Sequence, residues 1–473
     1  MGAKKTRQKA GDDRDAAGAA PIRVAMISLG CPKNLVDSEK MLAGLAEAGC
    51  AITPRAADAD VVLVNTCGFL QSARAEAMGV LAELKRLKDA DPHKRIVIAG
   101  CLVQREGAAL LESAPYVDAI VGVHGRDSLA RTVRAVLRDR ASTRTVSLPA
   151  FDPAATWSDR GRLRLTPRHY AYLRISEGCD QKCSFCTIPA IRGPYRSKRP
   201  DEVLREAAEL AADGAAELVL IGQDTTAYGK DIGYAAGLAG LLRDLNDVPG
   251  VRWLRLMYTY PRRFTDAVID AIAECDRVVK YVDVPLQHIH PEVLRRMGRR
   301  TPPAALKQLL HNLRRRIPEI AIRTTFIVGF PGETEAQFAE LLAFVRAQRF
   351  EAMGAFAYSP EPGTAAARLP RQVPEHLRQQ RLEQLMLAQQ KIALAAARRS
   401  KGQVFEVVVD APADPTGWYR ARHSKQAPEV DAVTLVQSAR PLRPGEVLRV
   451  RCTAGKGYDL LAKPVATCKM GMQ

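Results

Sequence analysis

Three cysteines, Cys179, Cys183 and Cys186, lie within one short run that follows an apolar, strand-like stretch at residues 172–176. Thiolates at C-x3-C-x2-C spacing can bind three irons of a cubic iron–sulfur cluster and leave the fourth iron open to a small molecule. That open iron is where chemistry is expected. A zinc knuckle or inert core cysteines are the alternatives, but a closed zinc site needs a fourth nearby ligand, and the nearest histidine, His169, precedes the strand.

A second set of cysteines follows the predicted strands of the amino-terminal region. Apolar, β-branched runs at residues 24–29, 61–64, 95–99 and 119–123 alternate with segments of helical composition, which predicts a parallel α/β sheet. Each of the first three runs ends beside a cysteine with a neighbouring glycine, namely Cys31, Cys67 and Cys101. Because the carboxyl ends of parallel strands converge on one edge, we predict a second three-cysteine cluster there. The alternative for each cysteine is a small buried core residue.

The length and composition of the chain limit which classes of protein it can belong to. The chain has 473 residues, 47% of them hydrophobic and 26% charged, which is typical of a globular protein with two to four domains. It has no apolar run of membrane-spanning length and no signal peptide, so we expect a cytoplasmic protein behind a disordered tail at residues 1–21. Ten cysteines in such a chain favour metal or redox chemistry over disulfides. Four of them, Cys50, Cys275, Cys452 and Cys468, have no partner spacing and are predicted to be structural.

The charge balance indicates an anionic neighbour. Seventy lysines and arginines against 52 acidic residues give a net charge of +18, with basic runs at residues 192–199, 295–300 and 314–316. Contact with RNA or a ribonucleoprotein is the expectation from this balance, and an ordinary solvated basic surface is the alternative.

Behind a proline-rich and charge-rich linker at residues 148–167, six strand-helix units predict a partial (β/α)6 barrel. The predicted strands lie at residues 171–176, 217–221, 253–257, 278–284, 320–328 and 354–358. A helix at residues 374–399 closes this unit, and alternating patterns after it predict a small all-β barrel. The predicted domains are therefore residues 22–147, 168–400 and 401–468.

The motif with Phe185 before its last cysteine resembles that of the radical S-adenosylmethionine enzymes. The two cysteine sets and the small β-barrel together resemble the methylthiotransferases, from residue 22 to about residue 463. That resemblance implies an amino-terminal auxiliary-cluster domain, a TIM-like radical barrel and a TRAM domain. It also implies two 4Fe-4S clusters and S-adenosylmethionine as cofactors.

Three segments resemble the branch that methylthiolates the β-carbon of an aspartate in small-subunit ribosomal protein uS12: residues 30–39, 223–229 and 427–431. The chain departs from that pattern at Gln426 and Ala432, where aspartate and glycine are expected, and this puts contacts of the TRAM domain in question. Methylthiolation of a transfer RNA adenosine is the alternative within the family, and a non-enzymatic iron–sulfur protein that binds RNA is the alternative outside it. The implied partners are uS12, in or near the small ribosomal subunit, a reductase such as flavodoxin or ferredoxin, and RNA.

The resemblance also implies roles for the candidate site residues. The cluster on Cys179, Cys183 and Cys186 binds S-adenosylmethionine and cleaves it to a radical that takes hydrogen from the substrate carbon. The cluster on Cys31, Cys67 and Cys101 holds the sulfur that is methylated and delivered. Residues at the barrel rim are predicted to contact the cofactor: Phe185 by packing on its adenine, and Gln223, Gln287, Arg323 and Gly329 by lining its pocket. A packing or turn role is the alternative for each, and no general base is expected.

Overall fold

The computed structural model describes residues 20–138, 144–152, 157–414 and 416–465, so most of the predicted tail and Cys468 lie outside the described residues. Its amino-terminal unit is a six-stranded parallel sheet with strand order β2-β1-β3-β4-β5-β6. The strands are β1 (Arg23–Ser28), β2 (Ala51–Ile52), β3 (Val61–Thr66), β4 (Arg95–Gly100), β5 (Ala119–Gly122) and β6 (Thr145–Ser147). The sequence patterns predicted four of these strands and missed the two short edge strands, β2 and β6.

Helices cover both faces of this sheet, which explains why its central strands read as continuous apolar runs. The helices are α1 (Pro32–Glu47), α2 (Gln71–Ala90), α3 (Cys101–Glu106), α4 (Leu110–Ser113) and α5 (Leu129–Arg138). Strand order reverses between β1 and β3, and such a switch point opens a crevice at the carboxyl ends of the strands. The predicted auxiliary cysteines lie at this edge.

The central unit is a second six-stranded parallel sheet in which spatial order follows chain order, as in an open (β/α)6 barrel. Its strands are β7 (Tyr170–Arg174), β10 (Glu217–Ile221), β11 (Trp253–Leu256), β12 (Val278–Asp283), β13 (Ala321–Val328) and β14 (Ala352–Ala357). The predicted strand at residues 171–176 divides after Arg174. Its end forms a separate antiparallel pair, β8 (Ser176–Glu177) with β9 (Arg196–Ser197), which frames the cysteine loop.

The helices of the central unit pack on the outer face of its sheet and bury the largest apolar cluster of the chain. Apart from the short α6 (Ile188–Arg192), whose Ile191 packs with Cys101 and Val123 of the amino-terminal unit, they are α7 (Pro200–Ala212), α8 (Gly237–Asn246), α9 (Asp266–Glu274), α10 (Pro291–Arg296), α11 (Pro303–Arg316), α12 (Glu335–Gln348) and α13 (Glu375–Arg399). On β7, Ala171 and Leu173 face these helices, whereas Tyr170 and Tyr172 face the barrel interior. This alternation is the two-residue period of a strand.

The carboxyl-terminal unit is a closed five-stranded barrel with strand order β15-β16-β17-β19-β18. Its strands are β15 (Val404–Pro412), β16 (Trp418–His423), β17 (Thr434–Gln437), β18 (Val447–Lys456) and β19 (Asp459–Pro464). Alternating runs at residues 404–409, 433–436 and 447–452 predict three of the five, β15, β17 and β18, whereas charged residues obscure the alternation in β16 and β19. The predicted fold class, an α/β chain with a parallel sheet, an open barrel and a small β-barrel, is confirmed.

A loop of the small barrel packs against tyrosines on the inner face of the central barrel, while Glu429 and Val430 of this loop stay exposed. The Glu429 carboxylate accepts hydrogen bonds from the hydroxyls of Tyr170, at 2.9 Å, and Tyr172, at 3.2 Å. Val36 of α1 and Ala427 of the loop belong to the apolar cluster inside the barrel. All three units therefore contribute to one interior. None of the helices in the described ranges combines the length and apolarity that a bilayer crossing needs.

Candidate active site

All six predicted ligand cysteines line one cavity of about 350 Å³, although they come from two domains. The cavity lies where the carboxyl ends of the amino-terminal sheet meet those of the central barrel. Cys31, Cys67 and Cys101 enter from the first sheet, and Cys179, Cys183 and Cys186 from the loop after β8. The fold thus brings together both sets that the sequence analysis singled out.

The loop that carries Cys179, Cys183 and Cys186 is held by backbone contacts at both ends. The Cys179 N–H donates to the Gly193 carbonyl at 3.2 Å, and the Ser184 N–H donates to the Met297 carbonyl at 2.9 Å. Gly178 has a φ of +74°, and a Cβ there would lie 2.0 Å from the Pro194 carbonyl oxygen. Only glycine allows this approach, so the sequence Gly-Cys at the start of the loop is a packing requirement.

The other three cysteines occupy equivalent positions after neighbouring strands. Cys31 immediately precedes α1, Cys67 follows β3, and Cys101 begins α3. The side-chain amide of Asn34 donates to the Thr66 carbonyl at 2.8 Å and to the Leu29 carbonyl at 3.1 Å, which ties two of these strand ends together.

The chemistry of these side chains suits iron–sulfur clusters. Burial raises the pKa of Cys101, Cys179 and Cys186 to about 12, so these groups remain thiols unless a cation stabilises the thiolate. Within the described ranges, no three histidine, cysteine or acidic side chains converge on the position of a single metal ion. A cubic cluster does not require such convergence, because each cysteine binds a different iron.

Arg192 connects the two halves of the site. It ends α6, only 1% exposed, and its guanidinium reaches the amino-terminal domain. Its Nη2 and Nε lie 3.1 and 3.3 Å from the Cys101 Sγ. Its Nη1 lies 2.8 Å from Asp37 Oδ2 and 3.1 Å from Glu177 Oε2, and Asn34 accepts a further hydrogen bond.

The charges around Arg192 are paired and buried. Burial raises the pKa of Glu177 and of Asp37, but the neighbouring guanidinium groups outweigh it and hold both carboxyls below their ordinary pKa. Lys198 is also buried, with its ammonium on Asp159 and Glu206. The basic run at residues 192–199 was interpreted as part of an anion-binding surface, and for Arg192 and Lys198 that interpretation is wrong.

Three of the five predicted cofactor contacts line the cavity: Phe185, Gln223 and Gln287. The Gln223 amide donates to Glu177 Oε1 at 2.6 Å, and the side-chain oxygens of Gln223 and Gln287 are buried without a hydrogen-bond partner. Buried polar atoms of this kind suit a bound polar ligand, because leaving them unpaired is costly. Phe185 packs edge-on to Phe330, with ring centroids 6.4 Å apart.

The structure does not bring Arg323 and Gly329 to this cavity. Arg323 lies on β13 and pairs with Asp283 at 3.0 Å and with Asp431 of the small barrel at 3.4 Å. Gly329 lies against Arg378, whose Cγ would be 2.3 Å from a Cβ at that position. These contacts favour the packing alternative for both residues, and a cofactor contact there stays a prediction.

Sequence reasoning missed several residues that line the cavity. Lys33 places its ammonium 3.1 Å from the ring centroid of Tyr258, which follows β11 with a φ of +58°. Arg299 stacks over Tyr260 at 4.1 Å and lies 3.7 Å from the Cys183 Sγ. Lys33 lies in the segment at residues 30–39 and Arg299 in the basic run at residues 295–300, whereas no local pattern marked Tyr258.

Comparison with known proteins shows how this arrangement relates to others. Residues 23–122 match Uncharacterized protein family UPF0004, residues 173–345 the Radical SAM superfamily, and residues 402–465 the TRAM domain. "Ribosomal protein uS12 methylthiotransferase RimO" of Anaeromyxobacter sp. (strain K) is 44% identical over 446 residues, or 94% of this chain and 93% of that protein. The chain belongs to the RimO family.

A second RimO protein supports the assignment. The protein of the same name from Pelotomaculum thermopropionicum is 43% identical over 445 residues, which cover 94% of this chain and 99% of the relative. The matched segments lie inside the predicted domain ranges, whose bounds stay predictions.

Solved structures show the same fold at greater distance. The radical S-adenosylmethionine methyltransferase TsrM from Kitasatospora setae, with tryptophan and an S-adenosylmethionine analogue bound, superposes with a TM-score of 0.53. It is 17% identical, and the match covers 71% of this chain and 73% of TsrM. Membership of the RimO family makes the protein a radical S-adenosylmethionine methylthiotransferase that uses S-adenosylmethionine and 4Fe-4S clusters.

Proposed function

We propose that this enzyme attaches a methylthio group to the β-carbon of an aspartate in ribosomal protein uS12. The cavity shared by two sets of three cysteines carries the proposal, because one set can serve the radical step and the other can hold the sulfur. We assign the S-adenosylmethionine cluster to Cys179, Cys183 and Cys186, and the auxiliary cluster to Cys31, Cys67 and Cys101. The names of the relatives support uS12 as the protein substrate over a transfer RNA.

The reaction balances with two molecules of S-adenosylmethionine and one sulfide. When bound, the cofactors supply a 5'-deoxyadenosyl radical and a methylated sulfur. The substrate C–H bond breaks, its hydrogen leaves in 5'-deoxyadenosine, and a C–S bond forms to the methylated sulfur. One S-adenosylmethionine leaves as S-adenosylhomocysteine and the other as methionine and 5'-deoxyadenosine. The electron that cleaves S-adenosylmethionine is released again when the C–S bond forms.

In this proposal, side chains of the cavity bind and orient S-adenosylmethionine. Gln223 and Gln287 present unpaired oxygens to the cavity, where they can accept hydrogen bonds from the amino group or ribose hydroxyls of S-adenosylmethionine. Gln223 is held by Glu177, which Arg174 and Arg192 fix in turn. No side chain is assigned a general-base role, because an unactivated β-carbon offers no acidic proton.

The partners follow from the same proposal. Reduction of the clusters requires an electron donor, for which we propose a flavodoxin or ferredoxin, and the modification takes place in the cytoplasm on uS12 in or near the small ribosomal subunit. The TRAM domain at residues 402–465 supports a contact with RNA.

The test is anaerobic turnover with purified components. The reconstituted enzyme, S-adenosylmethionine, sulfide and a reductant are incubated with uS12 or with transfer RNA, and mass spectrometry locates a methylthio group. We expect it on an aspartate of uS12, and none on uS12 in which that aspartate is asparagine. Simultaneous Cys31→Ala, Cys67→Ala and Cys101→Ala substitutions should abolish the product but not 5'-deoxyadenosine formation. Modification of a transfer RNA adenosine instead would contradict the proposal.

A further inference from the structure

Arg192 is bound to a cysteine of the predicted auxiliary cluster although it belongs to the other domain. Two of its N–H groups point at one sulfur, Cys101 Sγ, at 3.1 and 3.3 Å. Both residues are buried, at 1% and 5% exposure. Hydrogen bonds to cluster sulfurs and burial are among the features by which a protein sets the reduction potential of an iron–sulfur cluster.

Charge alone does not explain this placement. Arg126, Arg174 and Arg192 are balanced by three carboxylates, those of Asp37, Asp159 and Glu177. The network is therefore close to neutral as a whole. Its effect on the Cys101 sulfur comes from the two N–H groups that Arg192 directs at that atom. Arg174 is equally buried and contacts the same two carboxylates, Asp37 and Glu177, both at 2.7 Å, but its hydrogen bonds go only to carboxylates.

We propose that Arg192 is a positioning residue that acts through Cys101 to raise the reduction potential of the auxiliary cluster. The proposal rests on the proposed function, which places a cluster on Cys31, Cys67 and Cys101. The two N–H donors stabilise negative charge on the Cys101 sulfur. Because the reduced cluster carries more negative charge than the oxidised cluster, the donors stabilise the reduced form more. Forming the C–S bond releases one electron, and Arg192 makes the neighbouring cluster a better acceptor for it.

The position of Arg192 also links this effect to the first cluster. It lies six residues after Cys186, at the end of the short helix that leaves the S-adenosylmethionine cluster loop. Its side chain crosses to the amino-terminal domain, where Asn34 and Asp37 hold it beside Cys101. The same arginine therefore fixes the position of the auxiliary site relative to the first cluster loop.

The test is a redox titration of the auxiliary cluster alone. Cys179→Ala, Cys183→Ala and Cys186→Ala in the full chain leave only this cluster, and electron paramagnetic resonance follows its reduction. In this background we expect Arg192→Gln to lower the ratio of reduced to oxidised cluster at a fixed potential at least tenfold, which corresponds to a 59 mV lower potential for a one-electron couple. Arg192→Lys should lower it less, since one N–H donor can be retained. Arg174→Lys, the matched control, should leave it unchanged.

Two results would overturn the role of Arg192: a potential unchanged in Arg192→Gln, or an equal shift in Arg174→Lys. If Arg192→Gln does not fold, the proposal is tested in the triple-alanine chain with its native Arg192, produced with 15N-labelled arginine. Pulsed electron paramagnetic resonance should then detect a 15N coupling to the reduced cluster that disappears in Arg192→Lys, and its absence contradicts the proposal. Failure of the triple-alanine chain to bind iron would instead contradict the proposed second cluster, and with it this role.

Discussion

The carboxylate of Asp431, on a loop of the small barrel, accepts a hydrogen bond from the hydroxyl of Tyr281, on β12 of the central barrel, at 2.8 Å. The same carboxylate accepts from the Ala427 N–H at 2.9 Å and pairs with Arg323. Asp431 and Glu429 thus fasten the segment at residues 427–431 to tyrosines on the inner face of the central barrel. This segment, one of the three that resemble the uS12 branch, is therefore a connection between the two barrels.

Removal of this connection should loosen the small barrel. Asp431→Ala leaves the Tyr281 hydroxyl and the Ala427 N–H without their partner, and each buried unpaired group costs about 1–3 kcal/mol. We expect a lower unfolding midpoint and faster hydrogen exchange at residues 424–432. Glu406→Ala is the matched control, because it removes an exposed ion pair with Arg252 between the same two barrels. Exposed pairs contribute about 1 kcal/mol or less, so an equal effect in the control would contradict this account.

The two departures from the family pattern, Gln426 and Ala432, flank this segment. Gln426, where aspartate was expected, accepts hydrogen bonds from the His423 N–H at 3.1 Å and the Thr434 hydroxyl at 2.9 Å. Ala432 lies at a cavity between the two barrels. Gln426 therefore has hydrogen-bond partners within the small barrel, whereas the effect of the two departures on contacts of the TRAM domain stays a prediction.

Gly178→Ala should weaken the cluster loop. A Cβ at this position would lie 2.0 Å from the Pro194 carbonyl oxygen, and its positive φ adds further strain. We expect a loss of stability of more than ~1 kcal/mol and reduced iron binding by Cys179, Cys183 and Cys186, measured by iron analysis and 5'-deoxyadenosine formation. Gly233→Ala is the control, since that glycine also has a positive φ, +66°, but nothing lies within 4 Å of a Cβ there. Full iron content in Gly178→Ala would show that the close approach of Gly178 to the Pro194 carbonyl is not needed for cluster binding.

The two cysteine sets should be separable by iron analysis. Each triple alanine variant should lose about half of the bound iron, because each set binds one 4Fe-4S cluster. The variant of Cys179, Cys183 and Cys186 should also lose 5'-deoxyadenosine formation. Cys275→Ala, at a buried position in the outer apolar cluster, should change neither quantity. If either triple variant retains all the iron, the ligand assignment for that set is wrong.

The small barrel should lose stability in mild acid through His423. Burial, with the nearby charges of Lys425 and Arg255, lowers the pKa of His423 from 6.5 to about 3. Its neutral form therefore stabilises the fold above pH 6.5, and this contribution is lost as the pH falls from 6.5 towards 3. At pH 5 the loss is about 2 kcal/mol.

Hydrogen exchange of β16 and β17 at pH 7 and pH 5, corrected for intrinsic rates, measures this loss. His423→Asn keeps an acceptor for the Lys425 N–H, which His423 Nδ1 accepts at 3.2 Å, and removes the titrating group. We expect a smaller loss of protection in that variant. The same loss in both chains would show that other groups cause it.

Most of the buried strands, and the convergence of six cysteines on one cavity, could be predicted because each depends on a pattern within a short stretch of sequence. Apolar runs mark the buried parallel strands, and a cysteine at each strand end falls at the edge where such strands converge. The role of Arg192 could not be predicted in the same way, because its partners Asp37 and Cys101 are distant in sequence and belong to another domain. For the same reason, Arg192 and Lys198 were counted with an anion-binding surface although both are buried.

The hydrogen bonds of Glu429 and Asp431 with the central barrel could not be predicted from the sequence either. The hydroxyl donors come from Tyr170, Tyr172 and Tyr281, which lie on strands of the central barrel. The local sequence pattern of residues 427–431 carries no information about these partners. Arg323 is predicted from the sequence to line the cofactor pocket because it is expected at the barrel rim. It lies near the start of β13, however, and therefore meets the small barrel instead of the cluster cavity.

The central claim is that the product is a methylthiolated aspartate in uS12. The most direct measurement compares uS12 and transfer RNA nucleosides by mass spectrometry from cells with and without this gene. The account predicts that a methylthio group on a uS12 aspartate disappears with the gene and returns with the intact gene, but not with the triple alanine variant of Cys31, Cys67 and Cys101. Loss of a methylthio group from a transfer RNA adenosine, with uS12 unchanged, would contradict it.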